Sequence, residues 1–257
     1  MTNKLKYFIG NWKMFGDFNS IKIIYQIHQF CLRFNKSHKK NKIVLCVPNT
    51  LISFFTKKIK SKFLSIGAQN CHYHNNYGPF TGSVNASMLK KAGAKYIILG
   101  HSENRSDGDN NKILKKKIES ALNQKLNIIF CIGETLKEKI ESKTFSVLRK
   151  QMRGSIDKKY NINRIIVAYE PVWSIGTGKV PDVQLLKKAF KFIKNEFKKN
   201  FKTKTFPAVL YGGSVNDSNI GLFSSISEID GFLIGGASIN LEMFSKIIEI
   251  VHNKFMR

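Results

Sequence analysis

The sequence predicts an α/β protein built as a single-domain (β/α)8 barrel, and three observations support this. Short segments rich in Val, Ile, Leu and Phe alternate with longer amphipathic segments along the whole chain, as in repeated βα units with a parallel sheet. Eight such apolar segments can be counted. The length of 257 residues is typical of one barrel of this kind. An open doubly wound sheet is the competing arrangement.

The eight apolar segments are the candidate strands, and the longest amphipathic segment is the clearest candidate helix. We expect strands at 7–11, 43–47, 63–68, 96–100, 127–132, 164–169, 208–211 and 231–234. A helix is predicted over 182–200, where apolar residues recur at helical spacing opposite lysines. No linker-like composition interrupts this order, so one domain over residues 1–257 is expected.

The strong positive charge is the most unusual property of the composition. Lys and Arg number 43 against 17 Asp and Glu, which gives a net charge of +26 and a pI of about 10.0. Such a balance suggests polyanion partners. The lysines are nevertheless spread over the chain, which favours a solvated basic surface that also attracts phosphorylated substrates. We therefore expect no specific nucleic-acid partner.

Cellular location is predicted from apolar segments and cysteines. The first residues lack the apolar stretch of a secretory signal, and no window approaches the roughly 20 apolar residues of a membrane span. Four widely spaced cysteines, Cys31, Cys46, Cys71 and Cys131, are interpreted as reduced thiols. These observations predict a cytoplasmic protein with no membrane partner.

Polar segments that contain glycine follow most of the candidate strands. In a barrel they all lie at the C-terminal end, where barrel enzymes hold their catalytic residues. The strongest is AYEPVWSIGTGK at 168–179, in which Glu170 ends a strand. A rigid Pro-Val-Trp segment and a Gly-Thr-Gly segment follow, and this composition predicts a lid that closes over a phosphate group.

AYEPVWSIGTGK resembles the flexible sixth loop of the triose-phosphate isomerase family. Five more segments resemble this family in its own order: GNWKM at 10–14, ILGHSE at 98–103, CIGE at 131–134, YGGSV at 211–215 and GFLIGGAS at 231–238. The resemblance covers roughly residues 7 to 252. It implies a TIM barrel of the glycolytic and gluconeogenic enzyme that interconverts dihydroxyacetone phosphate and D-glyceraldehyde 3-phosphate through an enediolate, without a cofactor.

The resemblance also implies catalytic roles for individual residues. Glu170 matches the catalytic base, and His101 matches the electrophile, whose neutral imidazole is a well-known property of this family. Asn11 and Lys13 match the hydrogen-bonding and electrostatic pair that acts on the substrate oxygens. Glu103 matches a supporting carboxylate at the edge of the site.

The phosphate group of the substrate is expected to bind backbone amides. The residues that match the family are Gly176 in the lid, Ser214 after the seventh strand, and Gly235 and Gly236 after the eighth. Glycine allows the backbone to approach an oxyanion closely, and barrels commonly bind phosphate in the loops after strands seven and eight.

The segment 69–88 implies a homodimer, because its family counterpart reaches into the neighbouring subunit. Thr81 is the expected dimer contact. The family usually has an acidic residue where Ser83 stands and an arginine where Asn104 stands, so an expected ion pair between subunits is missing. Asp109 similarly occupies a position where glutamate is usual.

Other interpretations of the motifs are weaker. The pair His72 and His74 beside Cys71 could indicate a metal, but no further ligands cluster nearby in the sequence, so no metal site is predicted. GHSEN starts like a nucleophile elbow but ends in Asn104 rather than glycine. Another phosphosugar-binding barrel enzyme is the main alternative function, and a basic nucleic-acid-binding protein is a more distant one.

Overall fold

A computed structural model describes residues 5–37, 41–201 and 206–256. Within these ranges, eight parallel strands are hydrogen-bonded in chain order, and the last pairs with the first to close a barrel. The strands are β1 (Lys6–Asn11), β2 (Asn41–Cys46), β3 (Leu64–Ala68), β4 (Tyr96–Leu99), β5 (Asn127–Ile132), β6 (Ile165–Tyr169), β7 (Val209–Tyr211) and β8 (Gly231–Ile234).

Helices cover the outside of the barrel and fill the connections between strands. They are α1 (Ile21–Ser37), α2 (Asn49–Lys58), α3 (Ala86–Lys91), α4 (Ser102–Ser106), α5 (Asn111–Asn123), α6 (Leu136–Ile140), α7 (Thr144–Ser155), α8 (Val183–Phe201), α9 (Ile220–Ser224) and α10 (Leu241–Met256). In the part of the chain described here, none of them is both long enough and apolar enough to cross a membrane.

The barrel prediction is confirmed, and the closed sheet excludes the open doubly wound alternative. Each predicted strand overlaps an observed one, with ends that differ by at most two residues. Closure depends on Gly231, whose φ of 156° and close approach to Tyr7 leave no room for a Cβ atom. Any larger residue at this position would force β8 away from β1.

Two apolar layers stabilise the barrel. The inner layer includes Ile9, Ile98 and Ile129, and the outer layer lies between the strands and the helices. On α8, five apolar residues that recur at helical spacing are fully buried: Leu186, Ala189, Phe190, Ile193 and Phe197. Complete burial of such side chains contributes about 1.5–3 kcal/mol each for the larger ones. This packing fixes the strands whose C-terminal ends carry the candidate site.

The four cysteines are free thiols and all are buried. Burial raises the pKa of Cys31 to about 12, and the same effect raises the pKa of Cys71 to about 12. Thiols with such pKa values are almost wholly protonated at neutral pH and react slowly with oxidants. The cysteines therefore act as small apolar residues of the core.

Candidate active site

A cavity of about 300 Å³ opens at the C-terminal ends of the strands. It brings together eight residues that the sequence marked as catalytic or phosphate-binding: Asn11, Lys13, His101, Glu170, Gly176, Ser214, Gly235 and Gly236. These residues lie at the end of β1 or in the segments after β1, β4, β6, β7 and β8, so segments far apart in the sequence meet at one end of the barrel. The arrangement follows from parallel closure, which places all strand ends at the same rim.

Glu170 is the buried carboxylate of this cavity. Its backbone N–H donates to the Ile132 carbonyl at 2.8 Å, which fixes the residue beside the end of β5. The side chain is 2 % exposed, and its Oε1 has no hydrogen-bond partner among the described residues. Burial raises the pKa of Glu170, while the nearby His101 and Lys13 and the Cys131 thiol oppose the rise. A poorly solvated carboxylate with a raised pKa is suited to act as a base.

His101 faces Glu170 across the cavity. Its ring lies at the start of α4, where Nδ1 accepts the backbone N–H of Glu103 at 3.3 Å. A ring nitrogen that accepts a hydrogen bond carries no proton, so this contact places the ring proton on Nε2. This Nε2 lies 3.7 Å from Glu170 Oε1. A hydrogen-bond donor and a candidate base are therefore directed at the same small space.

Lys13 has a left-handed backbone conformation with φ of 55°, which costs a non-glycine residue about 1–2 kcal/mol. Two side chains hold it there. Asn11 Oδ1 accepts the Lys13 N–H at 3.1 Å, and Gln69 Nε2 donates to the Lys13 carbonyl at 2.8 Å. The ammonium group lies 2.7 Å from Glu103 Oε1 at the edge of the cavity. A strained residue held by its neighbours is common at functional sites.

A buried carboxylate fixes the beginning of the lid. Glu134 is fully buried and accepts hydrogen bonds from the Tyr169 hydroxyl at 3.1 Å and from Trp173 Nε1 at 2.9 Å. Its carbonyl also accepts the Val172 N–H at 3.0 Å. The lid therefore begins at a point that is rigidly attached to β5 and β6.

The far half of the lid is exposed and depends on glycine. Gly176 and Gly178 have φ of 68° and 71°, and no atom would lie within 4 Å of a Cβ at either residue. Their backbone conformation, rather than lack of space, is what favours glycine here. Thr177 Oγ1 donates to the Trp173 carbonyl at 3.0 Å, which links this half of the lid to its buried start.

The loops after β7 and β8 form the wall opposite the lid. The Ser214 N–H points toward Ser174 Oγ at 3.5 Å, and Ser174 Oγ lies 3.2 Å from the Tyr211 hydroxyl. After β8, Gly235 leads into a short 3₁₀ segment, and no atom would lie within 4 Å of a Cβ at Gly236. The backbone of this wall is therefore accessible from the cavity.

Comparison with known proteins agrees with this geometry. A sequence profile of the family described as triosephosphate isomerase matches residues 6–251. The chain is 36% identical to the triosephosphate isomerase of Brucella abortus over 246 residues, which cover 95% of this chain and 96% of the relative. It is 35% identical to the triosephosphate isomerase of Dictyoglomus thermophilum over 252 residues, which cover 95% of this chain and 98% of the relative. A crystal structure of triosephosphate isomerase from Bartonella henselae superposes with a TM-score of 0.87 at 33% identity, covering 96% and 99% of the two chains.

The chain belongs to the triosephosphate isomerase family. It is accordingly an aldose–ketose isomerase, an intramolecular oxidoreductase, and the resemblance seen in the sequence is confirmed. The family's other expected residues lie outside the cavity. Glu103 lines an adjacent cavity of about 330 Å³ together with Lys13 and His101. Thr81 is exposed and lines neither of the two cavities.

Asn104 and Asp109, two departures from the family pattern, belong to one network within the chain. Asn104 Oδ1 accepts from Asn70 Nδ2 at 2.9 Å, and Asn70 Oδ1 accepts from Lys117 Nζ at 2.9 Å. Lys117 also pairs with Asp109 at 2.7 Å, and both side chains are 8 % exposed. The sequence did not predict this network, because Lys117 is one of three consecutive lysines and its burial depends on the three-dimensional fold.

Sequence reasoning also missed the supporting roles of Glu134 and Gln69. Glu134 lies in the CIGE segment at 131–134. Its carboxylate comes two residues after a buried strand, and this position was a signal that could have identified it. Gln69 follows β3 in the same way, and its side chain reaches Lys13 and the Cys46 carbonyl. Both residues act by holding other residues of the site in place.

Proposed function

We propose that this chain interconverts dihydroxyacetone phosphate and D-glyceraldehyde 3-phosphate by proton transfer through an enediolate. The observation that carries the proposal is the approach of Glu170 Oε1 to His101 Nε2 at 3.7 Å in one small cavity. A base and a donor this close can act on adjacent carbon and oxygen atoms of one substrate. No cofactor is needed for the step, because a proton leaves one carbon and returns to the next.

Each catalytic residue has a distinct role in this proposal. Glu170 removes a proton from the carbon beside the substrate carbonyl, and the protonated Glu170 then returns it to the neighbouring carbon. His101 Nε2 gives its proton to the carbonyl oxygen and takes the proton of the neighbouring hydroxyl, so the hydroxyl proton moves from one substrate oxygen to the other. Lys13 and Asn11 supply a fixed positive charge and an amide donor for the same oxygens, which lowers the free energy of the enediolate. Glu103 holds the Lys13 ammonium group near the site.

The phosphate group is proposed to bind the backbone amides of the lid and of the opposite wall. Gly176 would contribute from the lid, and Ser214, Gly235 and Gly236 from the loops after β7 and β8. Closure of the lid would exclude water and keep the enediolate from losing its phosphate. Lid closure of this kind is a well-known property of the family.

The working protein is proposed to be a cytoplasmic homodimer in which Thr81 contacts the partner and residues 1–257 form one domain. Family membership supports this assembly. Met14 is 94 % exposed beside the adjacent cavity of about 330 Å³, and Tyr77 is 68 % exposed on the segment that carries Thr81. Large apolar side chains this exposed favour burial against a second chain.

A coupled isomerase assay in both directions tests the catalytic proposal. Glu170→Gln keeps the shape of the side chain but removes the base, so kcat should fall by at least the roughly 10²–10⁴-fold attributed to such groups. Glu249→Gln, which changes an exposed carboxylate of α10, should leave kcat unchanged. Near-normal turnover by Glu170→Gln would contradict the role of Glu170. A wild-type chain that turns over only other phosphosugars would favour the alternative barrel enzyme.

A further inference from the structure

A cavity of about 570 Å³ lies at the opposite end of the barrel from the candidate active site. It is formed by the end of α2, the segment that leads into β3, and the turn between α3 and β4. We call it the basal cavity, because the strands begin at this end. Its volume falls within the range of about 300–1,000 Å³ that is typical of small-molecule sites.

The basal cavity is lined by lysines and by no carboxylate. The five lysines are Lys57, Lys60, Lys62, Lys91 and Lys95, and all are exposed. No ion pair joins any of them to an acidic residue of the described ranges; Lys91 Nζ donates instead to the Tyr77 hydroxyl at 2.9 Å. By contrast, the candidate active site sets Lys13 beside Glu170, and another cavity sets Lys117 beside Asp109. With 43 Lys and Arg against 17 Asp and Glu, many surface lysines must lack an acidic partner, and the distinctive feature of the basal cavity is that five of them line one concave site.

The negative ends of two helix dipoles offset only part of the positive charge of these lysines. Lys57 and Lys91 lie in the last turns of α2 and α3, where cations are stabilised by the negative end of the helix dipole. Each helix end is equivalent to roughly −0.5 charge, so the two ends offset about one of five positive charges. Lys60, Lys62 and Lys95 lie in connecting segments outside both helices. A charge of roughly +4 is therefore left uncompensated around the cavity.

The apolar residues that line the cavity strengthen its positive electrostatic potential. Ile59, Leu64 and Ile66 are buried and form an apolar floor, and a low-dielectric wall beside clustered charges strengthens the electrostatic potential in the cavity. No aromatic side chain lines the cavity, so it lacks the stacking surfaces that single-stranded nucleic acid prefers.

We propose that the basal cavity binds a polyphosphate anion, namely the chain of three phosphates that nucleoside triphosphates and inorganic triphosphate share. A triphosphate carries about four negative charges near neutral pH, which matches the uncompensated positive charge of the cavity. A phosphate monoester, with at most two negative charges, would leave about half of that charge uncompensated. This proposal is independent of the catalytic role proposed for the other end of the barrel.

Isothermal titration calorimetry on the full chain at about 0.15 M salt tests the proposal. The titrants are inorganic triphosphate, ATP, adenosine and a single-stranded RNA, and both triose phosphates are kept at saturation to occupy the candidate active site. The triple variant Lys60→Gln, Lys62→Gln, Lys95→Gln should weaken triphosphate binding by about tenfold or more. The matched control removes the same charge from exposed positions of α8 through Lys188→Gln, Lys198→Gln and Lys199→Gln. This control should change the affinity less than about twofold, and kcat should stay the same in both variants.

The outcomes separate the possible sources of binding. Equal affinity for triphosphate and ATP, with none for adenosine, supports recognition of the phosphate chain alone. Tighter binding of ATP supports a nucleoside triphosphate as the ligand. Equal losses in the triple variant and its control would overturn the proposal in favour of diffuse surface charge, as would the absence of triphosphate binding. A single-stranded RNA that binds more tightly than triphosphate, and loses affinity in the triple variant, would overturn it in favour of a polymer.

Discussion

At the scale of single residues, Glu170 illustrates a conflict between stability and chemistry. Its carboxylate is buried, and Oε1 has no hydrogen-bond partner within the described chain. Burial raises the pKa of Glu170, so its contribution to stability is fully present below the ordinary glutamate pKa. That contribution is lost as the pH rises through the raised pKa. At neutral pH the ionised side chain therefore makes the fold less stable than a neutral one would.

We expect Glu170→Gln to raise the melting temperature at pH 7 while it abolishes most of the activity. The amide has the same shape but carries no charge to desolvate, so the free energy of unfolding should rise. The gain should disappear when both proteins are melted below pH about 4, where the carboxyl group is protonated. Thermal melts at the two pH values measure this, with Glu249→Gln as the exposed control. An unchanged or lower melting temperature at pH 7 would contradict the expectation.

The same raised pKa predicts the acid side of the pH–activity profile. The base must be ionised in the free enzyme, so kcat/KM should decline at a pH above the ordinary glutamate pKa of about 4.3. Lys13 opposes the rise in the pKa of Glu170, so Lys13→Met should move the decline to a still higher pH as well as lowering the rate. Profiles of kcat/KM for both proteins test this. A decline that moves to lower pH in Lys13→Met would show that Lys13 does not act on Glu170 electrostatically.

The sequence predicted the residues that line the cavity but not those that hold them in place. Glu170, His101 and Lys13 stand at strand ends in recognisable segments, so their convergence followed from the barrel alone. Gln69 and Glu134 act through residues that are distant in the sequence. Gln69 contacts Lys13, and Glu134 contacts Trp173. No local pattern encodes such contacts, since they depend on which strands become neighbours.

At the scale of elements, the strands and one long periodic helix were predicted, and the short helices were not. The helix expected over 182–200 is α8 (Val183–Phe201), because its apolar stripe spans several turns. The five-residue helices α4 and α6 do not complete two turns, so they show no usable periodicity. α6 nevertheless has a capping box, in which Thr135 accepts the Glu138 N–H and Glu138 accepts the Thr135 N–H. This sequence signal of a helix start was present in TLKE.

We expect Lys139 of α6 to influence the conformation of the lid, because its Nζ lies 3.4 Å from the centre of the Trp173 ring. This cation–π contact, of the order of 0.5–2 kcal/mol, stabilises the lid in the described conformation, with residues 176–180 exposed. Lys139→Met should favour closure and tighten substrate binding by roughly two- to fivefold. Steady-state KM and tryptophan fluorescence during a substrate titration measure this.

Fluorescence is informative here because the chain has only two tryptophans. Trp12 lies between Asn11 and Lys13 and donates to the Ser238 carbonyl at 3.1 Å, so the titration is run in a Trp12→Phe background, in which a change that accompanies substrate binding is assigned to Trp173. Lys137→Met is the matched control, since Lys137 is an exposed lysine of the same helix. Weaker substrate binding in Lys139→Met would indicate that the contact supports the closed lid instead.

At the scale of the whole molecule, the charge of +26 is offset by ion pairs at a few positions. Lys13 is paired with Glu103, and the buried Lys117 is paired with Asp109. Asn104 is engaged by Asn70 of its own chain, so it has less capacity to attract a partner's Ser83. An interface between two copies of this chain would therefore lack a strong specific attraction at this position, and overall repulsion between the copies becomes important.

We expect the proposed homodimer to tighten as salt increases from low to moderate concentration. Two chains of +26 repel one another, and at about 0.1 M ionic strength charges more than roughly 10 Å apart are screened. Over the same range kcat/KM should fall, because a positive surface attracts the anionic substrate less strongly when screened. Sedimentation velocity and initial rates at matched salt concentrations test both effects, and kcat measured at a protein concentration that keeps the chain dimeric at every salt concentration serves as the control that should not change. A dimer that weakens as salt rises would show that attractive ion pairs dominate the interface, and a fully active monomer would remove assembly from the function altogether.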